Sequence, residues 1–571
     1  MIVRVPGNVR RVPLRVVAVG ILAVTLLGGC ARAGARDGFS DVDRLVRART
    51  GTGAFWSSDS AADVAAADTV RALLATELGA EQAVRVALLA NRDLQATYEA
   101  LGIARADVVQ AGLIRNPVVT LERINSTGPG EFGLAQTFID ILQRPMRKRL
   151  ASAEFEVAKV RVADAVYQHV TEVRSSFYSL VAAEQRADLR RAVARSVGAS
   201  ATAALAIRAA GNLLDVELAT ELALAEQSRA DAIAAEVEAV VAREKLVREM
   251  GVTVAGNTLQ VAARLPSLPG AESSVDSLVA LAVRNRLDLI GTFAAIEVAG
   301  RSLGLTNRFR LLTDGSIGWN GESDRGKDVQ QGPTISLAIP LFDRGQATSA
   351  AGRARLRQAY ARHEGLATSV RSEVRGAAAQ TAAMRVRAEV YRTRIVPLRN
   401  RALQETLLQN NAMAVSVFTL LLAKQAQIEA GVGYVAALRD YWMSRVELER
   451  VVGTMLAGTP VVDAPVERDI LGTDTMSVDG MRSGDGMRVP RDSTSDATKS
   501  RGDSAMPMNH AMPMNHAMPM NHAMPMPATV KPPTSRTQTA VPRAAPVAPV
   551  GSTKRGRTPA TDSASTRVPR P

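Results

Sequence analysis

The stretch Ala505–Met526 repeats the unit Met-Pro-Met-Asn-His-Ala and holds eight methionines and three of the chain's five histidines. The thioethers of Met506, Met508, Met512, Met514, Met518, Met520, Met524 and Met526 are soft, uncharged ligands suited to Cu(I) and Ag(I). The imidazoles of His510, His516 and His522 add a borderline donor that also takes Cu(II), Ni or Zn. Each copy places two sulfurs and one imidazole within five residues, so three copies could fill two- to four-coordinate sites. Proline keeps such a segment extended and stops it from burying its methionines as a core. The same residues also read as a slipped-repeat linker that holds no ligand. No resident cofactor is required elsewhere in the chain.

A second residue with chemistry is Cys30, the only cysteine, which excludes an intrachain disulfide. Arg4, Arg10, Arg11 and Arg15 precede the apolar run Val16 to Leu27, which is too short to span a bilayer as a mature helix. That is a secretory signal, assigned to residues 1–29. Leu27-Gly28-Gly29-Cys30 resembles the bacterial lipobox, which implies a mature chain beginning at a lipid-bearing Cys30. Acyl burial would anchor it by roughly 0.8 kcal/mol per methylene. In lipoproteins of that kind Ala31, rather than an aspartate, implies sorting to the outer membrane.

The elements that must position these groups are mostly helical. Aromatic residues make up only 4% of the chain, and alanine, valine, leucine and arginine dominate. The net charge of +14 is partly the tail's: from Ser504 onward eight Lys/Arg face one Asp, giving +7 there. No nucleic-acid-binding signature accompanies that charge, so no nucleic-acid partner is expected. Residues 30–68 read as an N-terminal linker, and a helical pattern runs from Thr69 to about Gly112. Residues 116–138 read as a β-hairpin around Asn125-Ser126-Thr127-Gly128-Pro129-Gly130.

No proline occurs between Met146 and Leu265. Phe155, Val162, Val166, Val173, Phe177 and Leu180 recur there at seam spacing. A helix from Arg149 to Ala210, roughly 90 Å long at 1.5 Å per residue, is expected to turn near Asn212. A second helix would then run back with Ile233, Val237, Val240 and Val247 on one stripe. The order recurs. Asn91-Arg92-Asp93-Leu94 answers Asn285-Arg286-Leu287-Asp288-Leu289, and strands are expected at Leu312–Asn320 and Thr334–Leu341, joined by the polar loop 321–327. A second helical hairpin spans about Gln346 to Val452, broken at Pro397, with its tip near Asn410-Asn411-Ala412-Met413. The repeats are assigned to 69–270 and 271–460, and a period near 200 indicates internal duplication. Residues 461–571 lack apolar periodicity and read as a disordered C-terminal extension.

This arrangement resembles the TolC-like family of outer-membrane efflux factors. Ala104-Arg-Ala-Asp-Val-Val-Gln-Ala-Gly-Leu-Ile-Arg-Asn-Pro117 is similar to that family's approach to its first strand. Ser336-Leu-Ala-Ile-Pro-Leu-Phe-Asp-Arg-Gly345 resembles its last strand and the turn into a long helix, and Val396-Pro397-Leu398 its junction above the second tip. The departure is Asn411-Ala412, where the family has a glycine. The resemblance covers about residues 75–455. It implies a mainly α fold with a small β part, in which short β-hairpins and very long helical hairpins repeat twice. It further implies a homotrimer closing a twelve-stranded barrel and a helical periplasmic tunnel. Its partners would be a periplasmic adaptor, an inner-membrane pump and outer-membrane lipid. Four strands per chain cannot close a barrel, and open sheet edges are not tolerated in lipid, which agrees with three chains.

Enzyme readings find no support: there is no phosphate loop, no HExxH and no GxSxG, and His169 and His363 stand alone on helical stretches. At the first tip, Asp215 and Glu217 would give a trimer rings of carboxylate that bias passage toward cations, or they cap the start of a helix. Leu213, Leu214, Val417, Phe418 and Leu420 read as packing residues, some of which could meet an adaptor. The sequence therefore points to the exit duct of a tripartite efflux pump, for copper or silver ions by virtue of the tail. The alternatives are a general drug or type I secretion duct with an incidental tail, and a periplasmic metal-storage lipoprotein without a pore.

Overall fold

A computed structural model describes Gly34 and residues 36–57, 61–123, 130–253, 259–270, 272–312, 314–323 and 330–456. The signal segment, Cys30 and the Met/His tract all lie outside the described residues, as does everything beyond 456.

Helices α1 (Phe39–Thr50), α2 (Ala61–Leu74), α3 (Ala80–Ala90) and α4 (Arg92–Gly112) lead into strands β1 (Val118–Arg123) and β2 (Gly130–Thr137). Helix α5 (Phe138–Ala209) follows β2 with no connecting residue, and α6 (Asp215–Met250) returns. The second half repeats the order as α7 (Val275–Asn285), α8 (Leu287–Phe309), β3 (Gly315–Ser323) and β4 (Gln330–Leu337). It then continues through α9 (Gln346–Val390), a π-helical turn at Tyr391–Ile395, α10 (Val396–Asn411) and α11 (Val417–Val452). The four strands form one antiparallel sheet in sequence order.

The seam read from spacing is the core of α5: Phe155, Val162, Val166, Val173, Phe177 and Leu180 are all buried. They pack with Tyr434, Leu438, Tyr441 and Trp442 of α11 and with Tyr98 and Leu101 of α4, as well as with α6. Tyr178 stacks on Trp442 with ring centroids 5.1 Å apart, and Trp442 Nε1 donates to the Pro266 carbonyl at 2.8 Å. At its 72 residues α5 is about 108 Å long. It starts eleven residues before the expected Arg149 and carries Pro145 within it. Pro397 likewise does not break its helix. The π turn just before it absorbs the lost amide, and Tyr391 of that turn lies over Gly433, where a Cβ would meet the ring at 2.5 Å.

Other expectations are corrected by packing. The 30–68 segment contains α1, whose Val42 and Val46 are buried with Trp56 in the main core. Lys159 of α5 clips α1 in place through Asp41 at 2.7 Å, a bond that holds the Asp41 carboxyl below its ordinary pKa. The helical reading of 69–112 is interrupted at 75–79, where Leu78 bridges to Val261, and again at Asn91. Strand β4 begins at Gln330 rather than Thr334 and ends at Leu337, while Gly321 and Glu322 belong to β3 and not to the loop. Ile233, Val237 and Val240 are not a seam within the chain, for all three are exposed. Helix α6 instead buries Ala225, Ser228, Ala232 and Ala235, small residues that let the helices approach closely.

The repeat is visible in the backbone. Gly211 (φ +80°) ends α5 and Met413 (φ +58°) ends α10, each in the left-handed region. In both tips this residue's amide bonds a carbonyl three residues back and the next amide one five residues back: Gly211 to Arg208 and Asn212 to Ile207, Met413 to Asn410 and Ala414 to Gln409. The same position supplies a side-chain clasp: Arg208 Nη1 donates to the Leu213 carbonyl at 2.9 Å, and Asn410 Nδ2 to the Val415 carbonyl at 3.0 Å. The glycine expected near Asn411-Ala412 thus corresponds to Met413.

Candidate functional site: a two-faced sheet and paired helical tips

Residues paired directly across antiparallel strands share a face, so the register sorts the sheet's side chains. One face carries Val119, Leu121, Phe132, Leu134, Ile317, Trp319, Pro333, Ile335 and Leu337, with the polar Gln136 and Gln331 near its two ends. Leu121 is 79% and Ile335 73% exposed, so nothing within the described chain covers this apolar band. Phe132 lies over Gly321, where a Cβ would collide with its ring. The opposite face carries Thr120, Glu122, Glu131, Gly133, Ala135, Ser316, Gly318, Asn320, Glu322, Gln330, Gly332, Thr334 and Ser336, with Val118 its one large apolar residue. Polar and small residues there line an open concavity.

On that polar face Glu122, Glu131 and Glu322 fall in one cross-strand row, continued by Gln330. The row lies toward the hairpin-turn end of the sheet, away from α5. Directly opposed like charges cost about 0.2–1 kcal/mol per pair, so the row implies water in front of it. Sequence reasoning missed these three residues, since only the register brings Glu322 level with two glutamates about 200 positions earlier. Period-two alternation could have put Glu122 and Glu131 on one face of their own hairpin, but not Glu322 beside them. Outer strands β1 and β4 each keep one edge unpaired among the described residues.

At the first tip, Glu217 accepts the Leu214 amide at 3.1 Å, and Asp215 pairs with Arg208 at 2.8 Å. At the second, Ser416 Oγ accepts the Thr419 amide at 3.3 Å. Leu214 and Val216 are exposed beside the first turn, Leu408 and Leu422 flank the second, and Met413 is 95% exposed at its apex. Leu214, and Val417 at the second tip, are therefore not internal packing residues in the single chain. His363 meets Thr292 at 3.0 Å, and His169 lies beside Asn91 and Glu249. Among the described residues, no helix is long and apolar enough to cross a membrane.

No protein-family model matches the chain, and no curated protein does. Solved structures do match it. A membrane protein from Pseudomonas aeruginosa aligns at 19% identity with a TM-score of 0.56, over 67% of this chain and 94% of that one. The CmeC outer membrane channel of Campylobacter jejuni aligns at 15% identity and a TM-score of 0.56, over 68% and 88%. CusC, whose structures concern conformational changes accompanying folding and transmembrane channel formation, aligns at 16% identity and 0.52, over 67% and 94%. The fold is thus that of TolC-like outer-membrane channels, mostly helical with a small antiparallel sheet.

Proposed function

We propose that this chain is the outer-membrane duct of a tripartite efflux system, working as a homotrimer with a periplasmic adaptor and an inner-membrane pump. The observation that carries the reading is the sheet: apolar on one face, polar on the other, with both edges open. Three copies joined edge to edge would supply twelve strands and leave no edge in lipid. Strands β2, β3 and β4, of eight or nine residues, come close to the length of a tilted crossing. The apolar band would then face acyl chains and the polar face a water-filled bore. Exposed Ile233, Val237 and Val240 on α6 suit burial against a neighbouring copy in a helical tunnel.

Lipidation at Cys30 would hold each copy to the membrane. The duct is passive, with energy supplied by the pump. Three glutamates per chain in the cross-strand row make nine in a trimer, a negative belt that favours cations in the bore. That charge and the Met/His tract together support a metal-ion cargo, copper or silver, with the tail buffering soft metal near the duct. Purified protein reconstituted in planar bilayers should show channels of trimer stoichiometry. Absence of conductance from a folded, inserted protein would overturn the duct. For the cargo, cells lacking residues 505–526 should lose copper or silver tolerance. Unchanged tolerance together with no metal binding by the tail would remove the metal role and leave the duct standing.

A further inference from the structure

His169 of α5 has one ring nitrogen already committed. Its Nε2 lies 2.9 Å from the carbonyl oxygen of Glu249 and 3.2 Å from Asn91 Nδ2; the carbonyl can only accept, so the shorter contact places a hydrogen on Nε2. Asn91 Nδ2 donates to the same carbonyl at 2.9 Å, and Asn91 Oδ1 is held by the amides of Asp93 and Leu94. The tautomer is therefore set by a rigid node, and the lone pair sits on Nδ1, 3.9 Å from Glu172 Oε2. Histidines that ligate metals characteristically donate their other ring nitrogen to a carbonyl or carboxylate in this way. A ring nitrogen of His169 and one carboxylate oxygen from each of Glu172 and Glu249 lie within 4.8 Å of one another, and Glu249 also meets the exposed Arg248 guanidinium at 3.2 Å, a surface pair that a cation would displace. Glu172 is 65% exposed, so the cluster opens to solvent.

The second repeat supplies an internal comparison. There Arg286 takes the place of Asn91 and donates to the Val451 carbonyl at 3.3 Å and to Glu373 at 2.5 Å. Glu373 thus stands where His169 does, Val451 where Glu249 does, and Gly376 three residues on where Glu172 does. That node is closed by an ion pair and offers no nitrogen lone pair. Among the described residues, the first repeat alone carries this donor set.

We propose that His169, Glu172 and Glu249 form a binding site for a borderline divalent cation of the Zn²⁺ class, bridging α5 and α6. One imidazole and two carboxylates suit Zn²⁺, with water completing the shell. The site is distinct from the thioether tract, whose ligands favour monovalent soft ions, and it stands whether or not the chain is an efflux duct.

The test uses the full chain in detergent, with Zn²⁺ as the probe. The wild type should bind one more Zn²⁺ per chain than His169→Gln or Glu172→Gln, and Zn²⁺ should raise its Tm by an amount both variants lose. Deleting 505–526 should leave that Tm rise intact, because a cation on the tail does not tie folded helices together. Glu172→Gln, at an exposed position, reports even if His169→Gln fails to fold. Equal stoichiometry and an equal Tm rise in wild type and Glu172→Gln would overturn the proposal, and so would a rise that disappears with the tail.

Discussion

Asn91 and Arg286 occupy equivalent nodes, and each is pressed by a glycine 160 or more residues further on. Gly251 (φ +69°) would place a Cβ 2.5 Å from the Cα of Asn91, and Gly453 (φ +79°) one 3.0 Å from the Cα of Arg286. In each repeat the end of the returning helix is thereby locked onto the start of the helix that leads to the sheet. Asn91 is the better cap, since its Oδ1 accepts two amides, whereas Arg286 accepts none and the Leu289 amide turns to Asp288. Asn91→Ala should therefore cost about 1–2 kcal/mol in denaturant unfolding.

The glycines separate close approach from mere flexibility. Gly251→Ala must strain a left-handed backbone and displace main chain, so a loss of about 1–3 kcal/mol is expected. Gly365→Ala sits within α9 with nothing near its Cβ and should stabilise by about 1 kcal/mol. Paired thermal melts read both, and equal effects would contradict the packing at Gly251.

Met413 carries a left-handed strain that its counterpart Gly211 avoids. Met413→Gly should slow amide exchange at the second tip, relieving about 1–2 kcal/mol of steric cost less the entropy glycine adds to the unfolded chain. Gly211→Ala should speed exchange at the first tip.

Thr334 and Ile335 are neighbours on opposite faces of β4. In the proposed barrel Ile335→Lys would put a charge on the lipid side, and it should cost about 2–4 kcal/mol of insertion into vesicles near the midplane. Thr334→Lys should insert normally and alter conductance. Reversed behaviour would assign the two faces the other way.

The row Glu122, Glu131 and Glu322 should set ion preference. In bilayers, replacing all three with glutamine should lower cation-over-anion selectivity, with unchanged trimer formation as the control.

Much of the long-helix architecture was legible in the chain itself. The α5 seam, the two tips, the strand pairs and the duplication all follow from local periodicity and turn chemistry, since a 3.6-residue repeat and a left-handed turn are settled within a few residues. Cys30 and the Met/His tract were legible as chemistry and lie outside the described residues. Pairing across distance was not legible. Apolar Ile233, Val237 and Val240 spaced like a seam, yet α6 turned its alanines inward because backbone approach against α5 outweighed the bulk of the stripe. His169 read as a solitary helical histidine until α6 brought Glu249, 80 residues later, against it. The glutamate row needed the β2–β3 register, which joins the two repeats. Sequence alone determined the long helices, the tips and the approximate strand pairs, and that their order recurs, because each is set by a pattern a few residues long. Only the tertiary structure decided which faces stay uncovered and which distant side chains meet, because those depend on contacts that no local window contains.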